Sequence, residues 1–195
     1  MAQALRHIIV RGRRLLLFAA GVAATSTAAA AAPTPAGADT ITSSNWGGYA
    51  VHRSGVRFRR VTGTWTVGRG ICIAGREGYA AAWIGLGGFD SNSQALEQIG
   101  NELDCSVSGR AYYSAWYELV PQTARTIRMS VRPGDTVTAH VDVVGTRVTL
   151  ALRNLRSGVG FTRTTRMSSP DVASAEWIVE ARRPATAPAT ASSSP

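Results

Sequence analysis

From Asn45 to Glu180 the apolar residues recur at every second position, and no run of ten residues carries a helical apolar stripe. Successive side chains of a strand point to opposite faces, so a period of two means strands with one face buried. In residues 61–67, Val61, Gly63, Trp65 and Val67 face one way, and Thr62, Thr64 and Thr66 the other. Val137, Ala139, Val141 and Val143 alternate in the same manner with Thr136, Thr138, His140 and Asp142. Residues 111–120, 126–131 and 147–152 repeat the habit. Turn formers separate the runs at Arg132-Pro133-Gly134-Asp135, Val144-Gly145-Thr146 and Ser157-Gly158. Short alternating strands with no helix between them predict an all-β chain, an antiparallel sandwich or barrel.

The ends of the chain read differently. Residues 1–14 carry Arg6, Arg11, Arg13 and Arg14 and no acid, an apolar run follows from Leu15 to Ala24, and alanines continue to Ala32. Basic, apolar, then small is the order of a secretory signal peptide, expected over residues 1–32. Cleavage fits after Ala30, Ala32 or Ala38, and the Arg13-Arg14 pair is a weak twin-arginine signal. The apolar core is about half of the ~20 residues that span a bilayer, so no membrane association is expected. Residues 33–44 read as a linker or pro-segment remnant, residues 45–181 as the folded domain, and 182–195, rich in Pro, Ala, Thr and Ser, as a tail that cannot bury a core. The expected product is a secreted, extracellular monomer.

Charge and cysteine content narrow the chemistry. Without the signal arginines, 17 arginines face 12 acids, and there is no lysine. Arg53, Arg57, Arg59 and Arg60 are the densest cluster and read as solvated surface, because a nucleic-acid groove would want a basic stripe with aromatics in step. Cys72 and Cys105, an even count in an exported chain, predict one disulfide. They have no histidine at zinc spacing, so no metal is expected. No serine sits in a nucleophile elbow, His140 alternates with strand threonines as a surface residue would, and no phosphate loop or other cofactor motif is present.

Carboxylates and amides remain. Ser114, Trp116 and Glu118 share one strand face; so do Glu176, Ile178 and Glu180, with Ala175, Trp177 and Val179 opposite. A carboxyl group packed beside Trp and Ile loses hydration, which raises its pKa and suits it to acid–base work. The same pattern also fits glutamates that only keep a strand soluble. Gln94, Leu96 and Gln98 share another face, and a carboxamide there could stabilise a developing oxyanion.

Seven stretches in order, SSNWGGYAV (43–51), FRRVTGTWTV (58–67), AAWIGLGG (81–88), LEQIG (96–100), YYSAWYELVP (112–121), PGDTVTAHV (133–141) and SAEWIVE (174–180), together resemble the glutamic peptidases, or eqolisins. The resemblance spans nearly the whole folded unit. It implies a β-sandwich of the concanavalin A-like or jelly-roll type and an acid endopeptidase acting on polypeptides without metal or cofactor. By the matching blocks it implies catalytic Gln98 and Glu180, and Glu118, Trp83, Trp46 and Asn45 around the substrate. Cys72 and Cys105 resemble a cysteine pair of family members. Two departures stand out. Gly87 occupies a position that is commonly acidic in the family, and family chains continue beyond the last block with further strand sequence, which implies an unpaired edge here.

Two other functions fit the pattern. A β-sandwich glycosidase would need two carboxylates about 5–5.5 Å apart. Glu176 and Glu180 on one strand stand roughly 13 Å apart at ~3.3 Å per residue, which leaves Glu118 with Glu180. A non-catalytic carbohydrate-binding sandwich or inactive peptidase homologue would instead use Trp46, Trp83 and Trp116 as exposed stacking platforms.

Overall fold

The computed structural model describes residues 43–181. The signal, most of the linker and the tail read above lie outside them. Ten strands follow in order: β1 (Trp46–His52), β2 (Arg60–Thr66), β3 (Gly78–Gly87), β4 (Leu96–Cys105), β5 (Ala111–Val120), β6 (Arg125–Ile127), β7 (Thr136–Val144), β8 (Arg147–Asn154), β9 (Gly160–Arg166) and β10 (Ser174–Ala181). They form two antiparallel sheets, ordered β1-β10-β3-β4-β5-β6 and β2-β7-β8-β9. No helix occurs among the described residues, and the all-β sandwich read from the alternation is the fold observed.

Alternation decides what each face holds. Val137, Val141, Val148 and Leu150 point between the sheets and are fully buried, while Thr138, His140 and Thr149 on the same strands are only partly covered. Each buried side chain of this size contributes about 1.5–3 kcal/mol. From the six-stranded sheet, Ile84, Leu86, Ile99, Ala115, Tyr117 and Ala175 meet them in the main core. A second apolar cluster, Ala81, Trp83, Leu96, Trp116 and Ile178 with Trp46 and Val120 packed against it, lies on the other face of that sheet. The six-stranded sheet is therefore apolar on both faces, and its outer one carries the candidate site.

Two local expectations change. Of residues 126–131 only Thr126 and Ile127 lie in a strand, β6, because Met129 N turns back to Ile127 O at 2.7 Å and ends the extended run. Gln94 stands outside β4, exposed just after a turn closed by Ser93 N to Asp90 O, so it does not share a strand face with Gln98. His140 lies on the outer face of the four-stranded sheet beside Asp142, 3.4 Å away, as a surface residue.

Candidate active site

Strand register fixes which side chains stand side by side on the outer face. One row runs Glu176, Gly85, Gln98, Glu118 across β10, β3, β4 and β5. The next runs Ile178, Trp83, Gly100, Trp116, and the third Glu180, Ala81, Glu102, Ser114, with Trp46 joining it from β1. Gln98 and Glu180 thus occupy the same face but different rows, with the Trp83 row between them and no hydrogen bond joining them.

Each has its own partners. Trp83 donates its indole N–H to Glu180 Oε2 at 3.0 Å, and Asn45 Nδ2 reaches Glu180 Oε1 at 3.4 Å. Trp46 packs edge-on against Trp83, ring centroids 5.2 Å apart. Gln98 Nε2 donates to Glu118 Oε2 at 2.7 Å, and Gln98 Oε1 is buried with no partner among the described residues. All six residues read from the sequence therefore gather into two hydrogen-bonded groups, Glu180–Trp83–Asn45 with Trp46, and Gln98–Glu118. Trp83 and Trp116 are each only 2% exposed, which corrects the reading of them as exposed sugar-stacking platforms. For Trp83 the glycines beside it leave the room it occupies. A Cβ on Gly85 would meet Leu96 at 2.9 Å and the Trp83 ring at 3.2 Å, and one on Gly100 would meet Trp83 Cβ at 2.7 Å.

Glu176 is fully buried, with Ser174 Oγ donating to its Oε1 at 2.9 Å and Oε2 without a partner. Burial raises its pKa from 4.5 to about 7, as expected of a carboxyl packed among apolar groups. Glu97, one residue from Gln98, points between the sheets and is equally buried; burial raises it to about 8, against the opposing hydrogen bond from Asp171 N at 3.2 Å. The sequence reading singled out neither this burial nor Asp171. Burial alone would raise Asp171, but hydrogen bonds from Ser93 Oγ, Ala173 N and Gly88 N outweigh it and hold its pKa below the usual value. Its side chain fills the space at Gly87, where an added Cβ would meet Asp171 Cγ at 2.9 Å. Asp171 comes from the connection between β9 and β10, and it leaves no room for a side chain at position 87.

The arrangement does not suit paired-carboxylate glycoside cleavage. Glu118 and Glu180 lie three strands and two rows apart, and Glu176 is sealed from substrate. Cys72 and Cys105 form a disulfide that ties the segment before β3 to the end of β4. A groove of about 550 Å³ opens on the inner side of the six-stranded sheet, against β2, and is lined by Tyr49, Trp65, Asn101, Tyr113, Trp177 and Val179.

The sequence model of the Peptidase A4 family matches residues 44–192. Scytalido-glutamic peptidase, solved with a transition-state analogue inhibitor, is similar with a TM-score of 0.60 and 26% identity over 70% of this chain and 64% of that one. Aspergilloglutamic peptidase from Aspergillus niger is similar with a TM-score of 0.50 and 29% identity over 56% of this chain and 66% of that one. SCP-B, a member of the eqolisin family solved with the tripeptide Ala-Ile-His, gives a TM-score of 0.50 at 26% identity over 70% and 63%. The chain thus spans just under two thirds of the length of the first of these. Among curated proteins there is no match.

Proposed function

The chain belongs to the Peptidase A4 family, the glutamic peptidases, and from the outer face of its six-stranded sheet we propose a secreted endopeptidase that cleaves polypeptides in acid. The observation that carries the proposal is Glu180, held by Trp83 and Asn45, on the same face as Gln98 with only the Trp83 row between them. A scissile peptide lying across that row meets both groups. Glu180, as a carboxylate, takes a proton from a water that attacks the carbonyl carbon. Gln98 donates an N–H to the oxygen as it becomes an oxyanion. Glu180 then returns the proton to the departing amine. Each step uses one proton that Glu180 accepts and gives back, and none forms a covalent enzyme intermediate. Because Glu180 must start ionised, it sets the low-pH limb of the reaction; confinement to acid is proposed from the membership of the glutamic peptidases. Secretion rests on the basic, apolar, small order of residues 1–32.

The test is digestion of unfolded casein by purified protein from acid to neutral pH, with folding followed in parallel. Cleavage peaking in acid and indifferent to chelators, serine reagents and thiol reagents is expected. A folded protein that cleaves nothing, or cleavage that peaks at neutral pH or stops with a chelator, overturns the proposal.

A further inference from the structure

At the side of the sandwich away from β1 and β2, each sheet ends in an edge strand, β6 in one and β9 in the other. Inner-face positions of such strands ordinarily carry apolar residues, and both strands break that pattern. Arg125 stands opposite Tyr117 of the main core and shares the inner face with Ile127. Arg163 stands opposite Leu150, also of the core, so it too points between the sheets. A cleft of about 440 Å³ opens beside them, lined by Tyr117, Arg125, Ile127, Arg128, Met129 and Phe161. The Arg163 guanidinium lies 5.6 Å from the centre of the Tyr117 ring, and Phe161 stacks on that ring with centroids 5.5 Å apart. Arg125, Arg128 and Arg163 are all exposed, so a molecule entering the cleft can reach them.

No carboxylate lines this cleft, and among the described residues none of the three arginines forms an ion pair. Asp135 is held by Arg156 at 2.8 Å, and Glu118, next to Tyr117 in sequence, stands on the other face of β5. Three like charges gathered without a counter-charge repel one another. A phosphate group, with close to two negative charges at neutral pH and several acceptor oxygens, relieves that repulsion and matches the planar fork of a guanidinium. The cleft is larger than a bare phosphate, and Phe161, Ile127 and Met129 give the remainder an apolar wall. We propose that the β6–β9 cleft is a second binding site, for a small organic phosphate ester. Arg125 and Arg128 hold its head with the charge of Arg163 in support, and its apolar body lies against Phe161 and Met129. The site is on the inner side of the sheet whose outer face carries Gln98 and Glu180, and it does not depend on their chemistry.

Calorimetric titration of the full chain at neutral pH with phenyl phosphate, inorganic phosphate and benzoate tests this, with backbone amide NMR to locate the site. Phenyl phosphate should bind one to one and shift the amides of residues 125–129 and 160–163. Inorganic phosphate, lacking the apolar body, and benzoate, with a single charge, should each bind about tenfold more weakly. In the double variant Arg125→Gln/Arg128→Gln, its fold checked by the same spectra, affinity for phenyl phosphate should fall about 10–100-fold, the worth of a hydrogen bond to a charged group. Arg147→Gln/Arg166→Gln removes the same charge from the outer face of the other sheet and should change affinity less than about twofold, because exposed charges at that distance are screened. Inward-pointing charges also keep edge strands from pairing with other chains. An arginine variant that associates, beside a native protein that binds no phosphate, would assign these groups to that role and overturn the proposal. So would amide shifts centred elsewhere, benzoate or inorganic phosphate binding as tightly as phenyl phosphate, or equal losses in the two double variants.

Discussion

The indole N–H of Trp83 donates to Glu180 Oε2 at 3.0 Å, while the far edge of the same ring lies over Gly85, in the row of Gln98. One side chain therefore spans both halves of the site. Trp83→Phe keeps an apolar ring on the sheet and removes only the donor. A hydrogen bond to a charged group contributes about 1.5–3 kcal/mol, so kcat/KM should fall on the order of 10–100-fold, with KM affected less than kcat. Steady-state kinetics beside a urea denaturation curve checks it. A variant as active as the native protein would place Glu180 outside the chemistry.

Glu180→Gln and Gln98→Ala should each abolish cleavage in a folded protein. Glu176→Gln should cost far less, since Glu176 is sealed from substrate and already neutral in acid. Loss of one oxyanion donor alone costs about 100–1,000-fold. Equal loss in all three variants would make Glu176 a participant and revive a two-carboxylate mechanism.

Much of this was legible in the sequence, for a physical reason. A strand's period of two is strict, so Ser114, Trp116 and Glu118, and Glu176, Ile178 and Glu180, could be placed on common faces with no structure in hand. What the period cannot give is register. That Gln98 stands beside Glu118 rather than Glu180 depends on how β4 and β5 slide, and nothing local to either strand encodes it. Burial is hidden for the same reason. Glu97 and Glu176 read as two more strand glutamates, and only the packing of both sheet faces shows them dry. Asp171 was overlooked because its role depends on the empty space at Gly87, 84 positions away in the chain.

Reduction of the Cys72–Cys105 bond should destabilise the domain by about 3–4 kcal/mol, the chain-entropy value for a closed loop of this size. Urea denaturation with and without reductant measures it, and an unchanged midpoint would mean that the 72–105 loop is already restrained in the unfolded chain.

Stability should fall as pH rises from weakly acid to neutral. Glu97 and Glu176 have folded pKa values of about 8 and about 7 against 4.5 when exposed. Below 4.5 both are protonated folded or unfolded, and they oppose folding not at all. Between 4.5 and the folded values the unfolded chain has released these protons and the folded one has kept them, so stability declines with pH by up to about 1.4 kcal/mol per unit for each group. The two windows overlap up to about pH 7, where the decline is steepest, and Glu97 alone extends it to about 8. Asp171 acts in the opposite sense: held below its usual value, it contributes stability at higher pH that is lost as pH falls through its folded pKa. The domain should therefore be most stable in moderate acid. Glu97→Gln keeps an acceptor for Asp171 N and cannot ionise, so its urea midpoint should gain on the native protein steadily from pH 4.5 to about 8. Parallel midpoint curves for the two proteins would show that Glu97 ionises inside the fold at no cost.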